Sequence, residues 1–131
     1  MSTARSALLA ALAALAACGE VASPEEVALE FWTAAAAHDF AVAAPFSTAT
    51  RPADVQASLG TFSPSASPAI GEALMSENRA SVETIFLGST ARERLAFDTH
   101  LVQVDGAWRV DLAATAEELG RAAVTPPGAS H

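Results

Sequence analysis

Two residues, Asp105-Gly106, constrain the fold of this chain more than any other feature. An Asp-Gly pair between two alternating apolar runs signals a two-residue type I′ turn, in which both central residues take positive φ. Such a turn fixes the strand register. Val104 then faces Ala107, Gln103 faces Trp108, Leu101 faces Val110 and Thr99 faces Leu112. Because side chains alternate along a strand, the register also assigns faces. Leu95, Phe97, Leu101, Trp108, Val110 and Leu112 fall on one side. Arg92, Arg94, Asp98, His100, Val102, Arg109 and Asp111 fall on the other. One apolar face and one charged face predict an antiparallel sheet that rests on a core by one side only.

Two further strands precede this hairpin. Ile70 to Met75 reads as a weak strand, Ser76-Glu77-Asn78-Arg79 as a turn, and Ala80 to Leu87 as a strand rich in β-branched and aromatic residues; Gly88-Ser89-Thr90 turns again into the longest strand, Arg92 to Val104. The first part of the chain has helical periodicity instead. Ser23-Pro24-Glu25-Glu26 combines an N-cap, a first-turn proline and a capping-box glutamate. The helix it starts runs to Ala37, with Val27, Phe31, Ala34 and Ala35 on its apolar face and Ala28 and Trp32 widening it. His38-Asp39 breaks the pattern. Phe40 to Phe46 reads as a short second helix, stopped near Pro45, and Thr50-Arg51-Pro52-Ala53-Asp54 restarts a third that ends at Leu59-Gly60 with the glycine as its cap. Thr61 to Pro68 alternates Ser and Pro and reads as a loop or irregular edge. A last helix is expected from Ala113 to Leu119, closed at Gly120.

The chain begins with a different kind of signal. Arg5 is followed by an uncharged Ala/Leu run from Ser6 to Ala17, too short to span a bilayer. Leu15-Ala16-Ala17-Cys18 then resembles a bacterial lipobox, with small residues before a cysteine that can carry a diacylglycerol. The expected organisation is a leader at 1–17, a lipidated tether at 18–22, one domain at 23–121 and a disordered tail at 122–131. Cys18 is the only cysteine of the 131 residues, which excludes an intrachain disulfide and a cysteine metal cluster. The formal charge is −8, and all seven basic residues are Arg. No nucleic-acid partner is expected from such a surface.

Glu25 to Trp32, His38-Asp39-Phe40 at the helix break, and Leu101 to Asp111 in the closing hairpin together resemble small bacterial lipoproteins of the nuclear transport factor 2-like superfamily. The resemblance covers residues 23 to 113. It implies an α+β fold in which N-terminal helices pack into a curved antiparallel sheet, forming a cone. Phe31, Phe97, Leu101, Trp108 and Val110 would line the pocket of that cone. The lipid on Cys18 would hold the protein at a membrane in the cell envelope, and Gly19 after the cysteine implies the outer membrane, facing the periplasm, in a cell that has one. Superfamily members include isomerases and cyclases as well as binding modules, so the fold does not decide the activity.

The residues themselves favour binding over catalysis. An isomerase-like site needs a carboxylate base and an acid donor in an apolar cavity. The chain has no Tyr to act as donor. Asp39 is the best-placed base, with a helix-capping role as its simpler reading. His38, His100 and His131 lack metal-ligand spacing, so neither metal nor cofactor is expected. The register sets His100 opposite Asp111, half of a triad in appearance, yet on the charged face with Asp98 and Arg109. The expectation is therefore a noncatalytic envelope protein that binds a small apolar ligand or an envelope protein partner. An isomerase-, cyclase- or hydrolase-like enzyme working in the cone pocket is the alternative.

Overall fold

The computed structural model describes residues 21–88 and 94–124. Cys18 and the leader, Arg92, the expected turn at 88–90 beyond Gly88, and the tail from 125 to His131 lie outside the described residues. Helix α1 (Pro24–Ala36) begins as its capping chemistry requires. Glu26 N–H donates to Ser23 Oγ, and Ser23 N–H donates to the Glu26 carboxylate. Asp39 caps α2 (Phe40–Ala43) by accepting the Val42 N–H, which is the structural role its sequence context favoured. A 3₁₀ turn (Ala44–Phe46) carries Pro45, and α3 (Pro52–Leu59) follows. Gly60 ends α3 at φ +61°, ψ −123°, a conformation only glycine adopts without strain.

Four strands come next: β1 (Ala69–Ser76), β2 (Arg79–Leu87), β3 (Arg94–Val104) and β4 (Ala107–Val110). They pair antiparallel in the order β1-β2-β3-β4. The closing hairpin has the register that Asp105-Gly106 dictates, with Leu101 paired to Val110 and Gln103 to Trp108. Both turn residues have positive φ, +53° and +82°. The first hairpin turns on Glu77, at φ +57°, and the Asn78 carbonyl reaches across to accept Gln103 N–H from β3. A register shift between Ile70 and Ala73 inserts a bulge into β1.

The fold is α+β, but the expected cone is absent. The sheet is open, with β1 and β4 as its edges, and it does not curl around a cavity. Its shape follows from two features. β4 has only four residues, too few to carry a wrapped sheet onward. The inner face is also filled: α1 touches all four strands, with Phe31, Trp32, Ala28 and Ala35 almost fully buried.

Helix α4 (Leu112–Val124) differs from expectation in length. It passes through Gly120 and continues to Val124. Leu119 and Ala122 pack on the core either side of that glycine, so tertiary packing offsets the roughly 1 kcal/mol that glycine costs within a helix.

Candidate functional site

The inner face is organised around Trp32. Its indole meets Phe31, Phe62, Phe86 and Phe97 edge-on, at centroid distances of 4.8 to 5.9 Å. Phe86 and Phe97 stack on each other at 6.0 Å. A buried indole N–H needs an acceptor, and Trp32 Nε1 finds Thr99 Oγ1 at 2.9 Å. Having accepted there, Thr99 can turn its own hydroxyl proton to Thr84 Oγ1, 2.6 Å away, and Thr84 donates to the Val82 carbonyl at 2.9 Å. The relay is complete in a fully buried region: each hydroxyl accepts one bond and donates another. This is a device for fixing the core, with no group free to react.

Each residue expected to line a pocket is buried. Phe31 and Val110 are fully enclosed, and Phe97, Leu101 and Trp108 nearly so. Together they belong to the packed core beneath the sheet. A cavity lies elsewhere, at the end of the sheet where β2 finishes and β3 begins. It is a cleft of about 660 Å³. Residues 63–67 form one wall. Ala69, residues 85–88, Arg94 and Leu95 form the other, and Ala122 of α4 closes the side. Phe86 brings the aromatic cluster up to the cleft floor.

The Ser/Pro stretch supplies a fixed wall. Pro64 and Pro68 are buried. Ser67 Oγ bonds Thr33 Oγ1 on α1 at 2.9 Å, and Phe62, just ahead of the stretch, packs against Trp32. The sequence marks the stretch as a loop or irregular edge, without a role as a wall. The available signal was Phe62, an aromatic anchor between the helix-ending Gly60 and a run of prolines.

The tempting histidine pair does not form. The backbones of His100 and Asp111 meet as the register requires, with Asp111 N–H donating to His100 O at 2.7 Å. Their side chains diverge because β4 stops at Val110 and α4 begins one residue past Asp111. Asp111 accepts the Ala114 N–H as the helix cap and meets Arg79 at 3.5 Å. Thr115, one turn along, takes over from the missing strand. Its hydroxyl accepts His100 N–H at 3.0 Å and bonds His100 O at 3.3 Å. Glu118, on the same helical face, meets His100 Nε2 at 3.2 Å and also binds Arg121. The bond from the His100 ring, aided by Arg121, holds the Glu118 carboxyl below the ordinary glutamate range.

Of the other charged residues described on the outer face, Arg109 has a backbone partner and Asp98 faces solvent. Arg109 Nη1 donates to the Pro45 carbonyl at 3.1 Å. Asp98 is exposed and borders a small recess with Glu83 and Glu118. No group of three metal-ligating side chains occurs among the described residues. No helix among them is long and apolar enough to cross a membrane.

The chain matches no family model, no curated protein and no solved structure. No relative therefore supports the nuclear transport factor 2-like lipoprotein identity suggested by the helix and hairpin motifs, and the open sheet contradicts its cone. What the described residues present is an open-sheet α+β domain with a cleft at the sheet end.

Proposed function

We propose that this protein is a noncatalytic component of the cell envelope, held at a membrane by acyl chains on Cys18, whose domain binds a small apolar ligand. The observation that carries the anchor is Leu15-Ala16-Ala17-Cys18 directly after an uncharged run of leader length. Gly19 in place of an aspartate directs it to the periplasmic face of an outer membrane in a cell with two membranes. One acyl chain binds a membrane only marginally, so stable attachment rests on more than one.

The binding reading draws on the cleft, whose volume suits a small molecule and whose walls are mostly apolar. Support for a noncatalytic role comes from how the ionisable side chains are used. Asp39 and Asp111 cap helices, and His100 is tied to α4.

Mass spectrometry of the mature N-terminal peptide tests the anchor. Wild-type protein is expected in the membrane fraction with acylated Cys18 as its first residue. Cys18→Ser is expected to leave the protein unprocessed or free of the membrane. Wild-type protein found unlipidated in the cytosolic fraction with its leader attached would overturn the reading.

A further inference from the structure

The cleft at the sheet end has one feature that narrows its ligand. Among the described residues that line it, Arg94 is the one ionisable side chain; the rest are apolar or carry a hydroxyl. Arg94 opens β3 and faces Leu87 across the β2–β3 ladder. Leu87 is 69% exposed, an unusual position for a large aliphatic side chain beside a cavity. Ile85 shares the outer face of the sheet end with Leu87 and Arg94, while Phe86 and Leu95 line the cleft from the inner face. The cleft thus joins a cation at its rim to an apolar interior. This local positive site belongs to a chain of formal charge −8.

That combination selects by charge as well as by shape. The overall field of the protein repels anions at a distance, and at ordinary ionic strength it is screened beyond about 8 Å. Among the described residues that line the cleft the one charge is the Arg94 guanidinium, and the planar fork of an arginine binds a carboxylate through two parallel hydrogen bonds. A neutral apolar molecule would fill the interior without engaging the guanidinium. An alkyl cation would place like charges together.

We infer that the cleft binds an amphipathic monocarboxylate, with its hydrocarbon tail between the Ser/Pro wall and Ile85–Leu95 and its carboxylate on Arg94. This rests on the reading that the domain binds a small apolar ligand, and it adds the head group, the pose and the residue that recognises it. The wall built by residues 63–67 is anchored by buried Pro64 and Pro68 and meets α1 through Ser67 and Thr33, so it stands in place without a ligand. Preorganisation of this kind lowers the entropy lost on binding.

The test uses the full chain carrying Cys18→Ser, so that no detergent micelle competes for the probe. Decanoate, decan-1-ol and decyltrimethylammonium are titrated by calorimetry. Decanoate is expected to bind at one site at least tenfold more tightly than the other two. Arg94→Gln is expected to remove that preference while leaving decanol unchanged, and Arg94→Lys to restore part of it. Ala66→Trp, an exposed position on the wall, is expected to block all binding without disturbing the fold. Equal binding of decanoate and decanol, insensitive to Arg94→Gln but blocked by Ala66→Trp, would overturn the carboxylate assignment and leave the apolar-ligand reading standing. Binding that persists in Ala66→Trp would overturn the site. Failure of all three probes to bind would overturn both readings.

Discussion

Thr99 and His100 are consecutive on β3 and face opposite sides of the sheet. Both are tied to a helix, but the ties differ in kind. Thr99 is fully buried and holds the Trp32 indole of α1 within a closed chain of hydroxyls. His100 is half-buried, and its ring meets Glu118 of α4 where water reaches both partners. A polar bond sealed from water has no substitute when one partner is lost, so the other is stranded at high cost. A bond at the surface can be replaced by solvent at little cost. The two faces of one strand thus separate a polar device that specifies the core from one that only decorates the edge.

The comparison predicts a steep gradient of mutational cost. Trp32→Ala should be the most damaging, near the upper end of the about 3–5 kcal/mol typical of large aromatic truncations, because it also strands Thr99. Trp108→Ala should fall toward the lower end, since Trp108 has no place in the ring cluster around Trp32. Urea unfolding followed by far-UV circular dichroism measures both, and a reversed order would move the centre of the core to β4. Thr99→Val should cost about 1–3 kcal/mol, leaving the indole N–H unpaired, while Thr99→Ser should recover most of that. A cycle with Trp32→Phe should show coupling between the two sites.

On the outer face the effects shrink. His100→Ala should cost less than about 1 kcal/mol, and a larger loss would mean that the edge device matters as much as the core relay. Acid sharpens the same contrast. The Glu118 carboxyl titrates below its ordinary value in the folded protein because of His100 and Arg121. Its contribution to stability is therefore present above the unfolded value of 4.5 and is lost as pH falls through the lower folded value. Glu118→Gln should flatten the stability profile below about pH 4.5, whereas Thr99→Val should lower stability equally at every pH. Chemical denaturation across pH 3 to 7 distinguishes the two.

The parts of the fold legible in the sequence were those fixed by neighbouring residues. Asp105-Gly106 set the hairpin register because both positions need positive φ. Ser23, Pro24 and Glu26 located the start of α1 because all three act within one turn. What was not legible depends on distant contacts. Trp32 read as the margin of an apolar helix face, and nothing local told that four phenylalanines and a threonine would converge on it. Thr115 and Glu118 became partners of His100 only because β4 stops early and α4 runs back along β3. Gly120 read as a helix end, yet Leu119 and Ala122 carry the helix past it. The cleft was invisible for the same reason: its wall exists through Ser67 meeting Thr33, 34 residues away in sequence.

The bulge in β1 has a consequence for how copies of this protein meet. β1 is an edge strand of eight residues with Leu74 and Met75 largely exposed. Open strand edges invite pairing with a second chain. At the middle of this one, Ala73 N–H donates to the Glu25 carboxylate of α1 at 3.0 Å, a bond that keeps the carboxyl below its ordinary range. A charged oxygen thus stands on the backbone donor at the bulge, and the bulge itself interrupts the regular ladder. Together they act as a gatekeeper against self-association. Wherever copies of this chain are crowded together, that single carboxylate helps keep neighbours separate rather than joined into a continuous sheet.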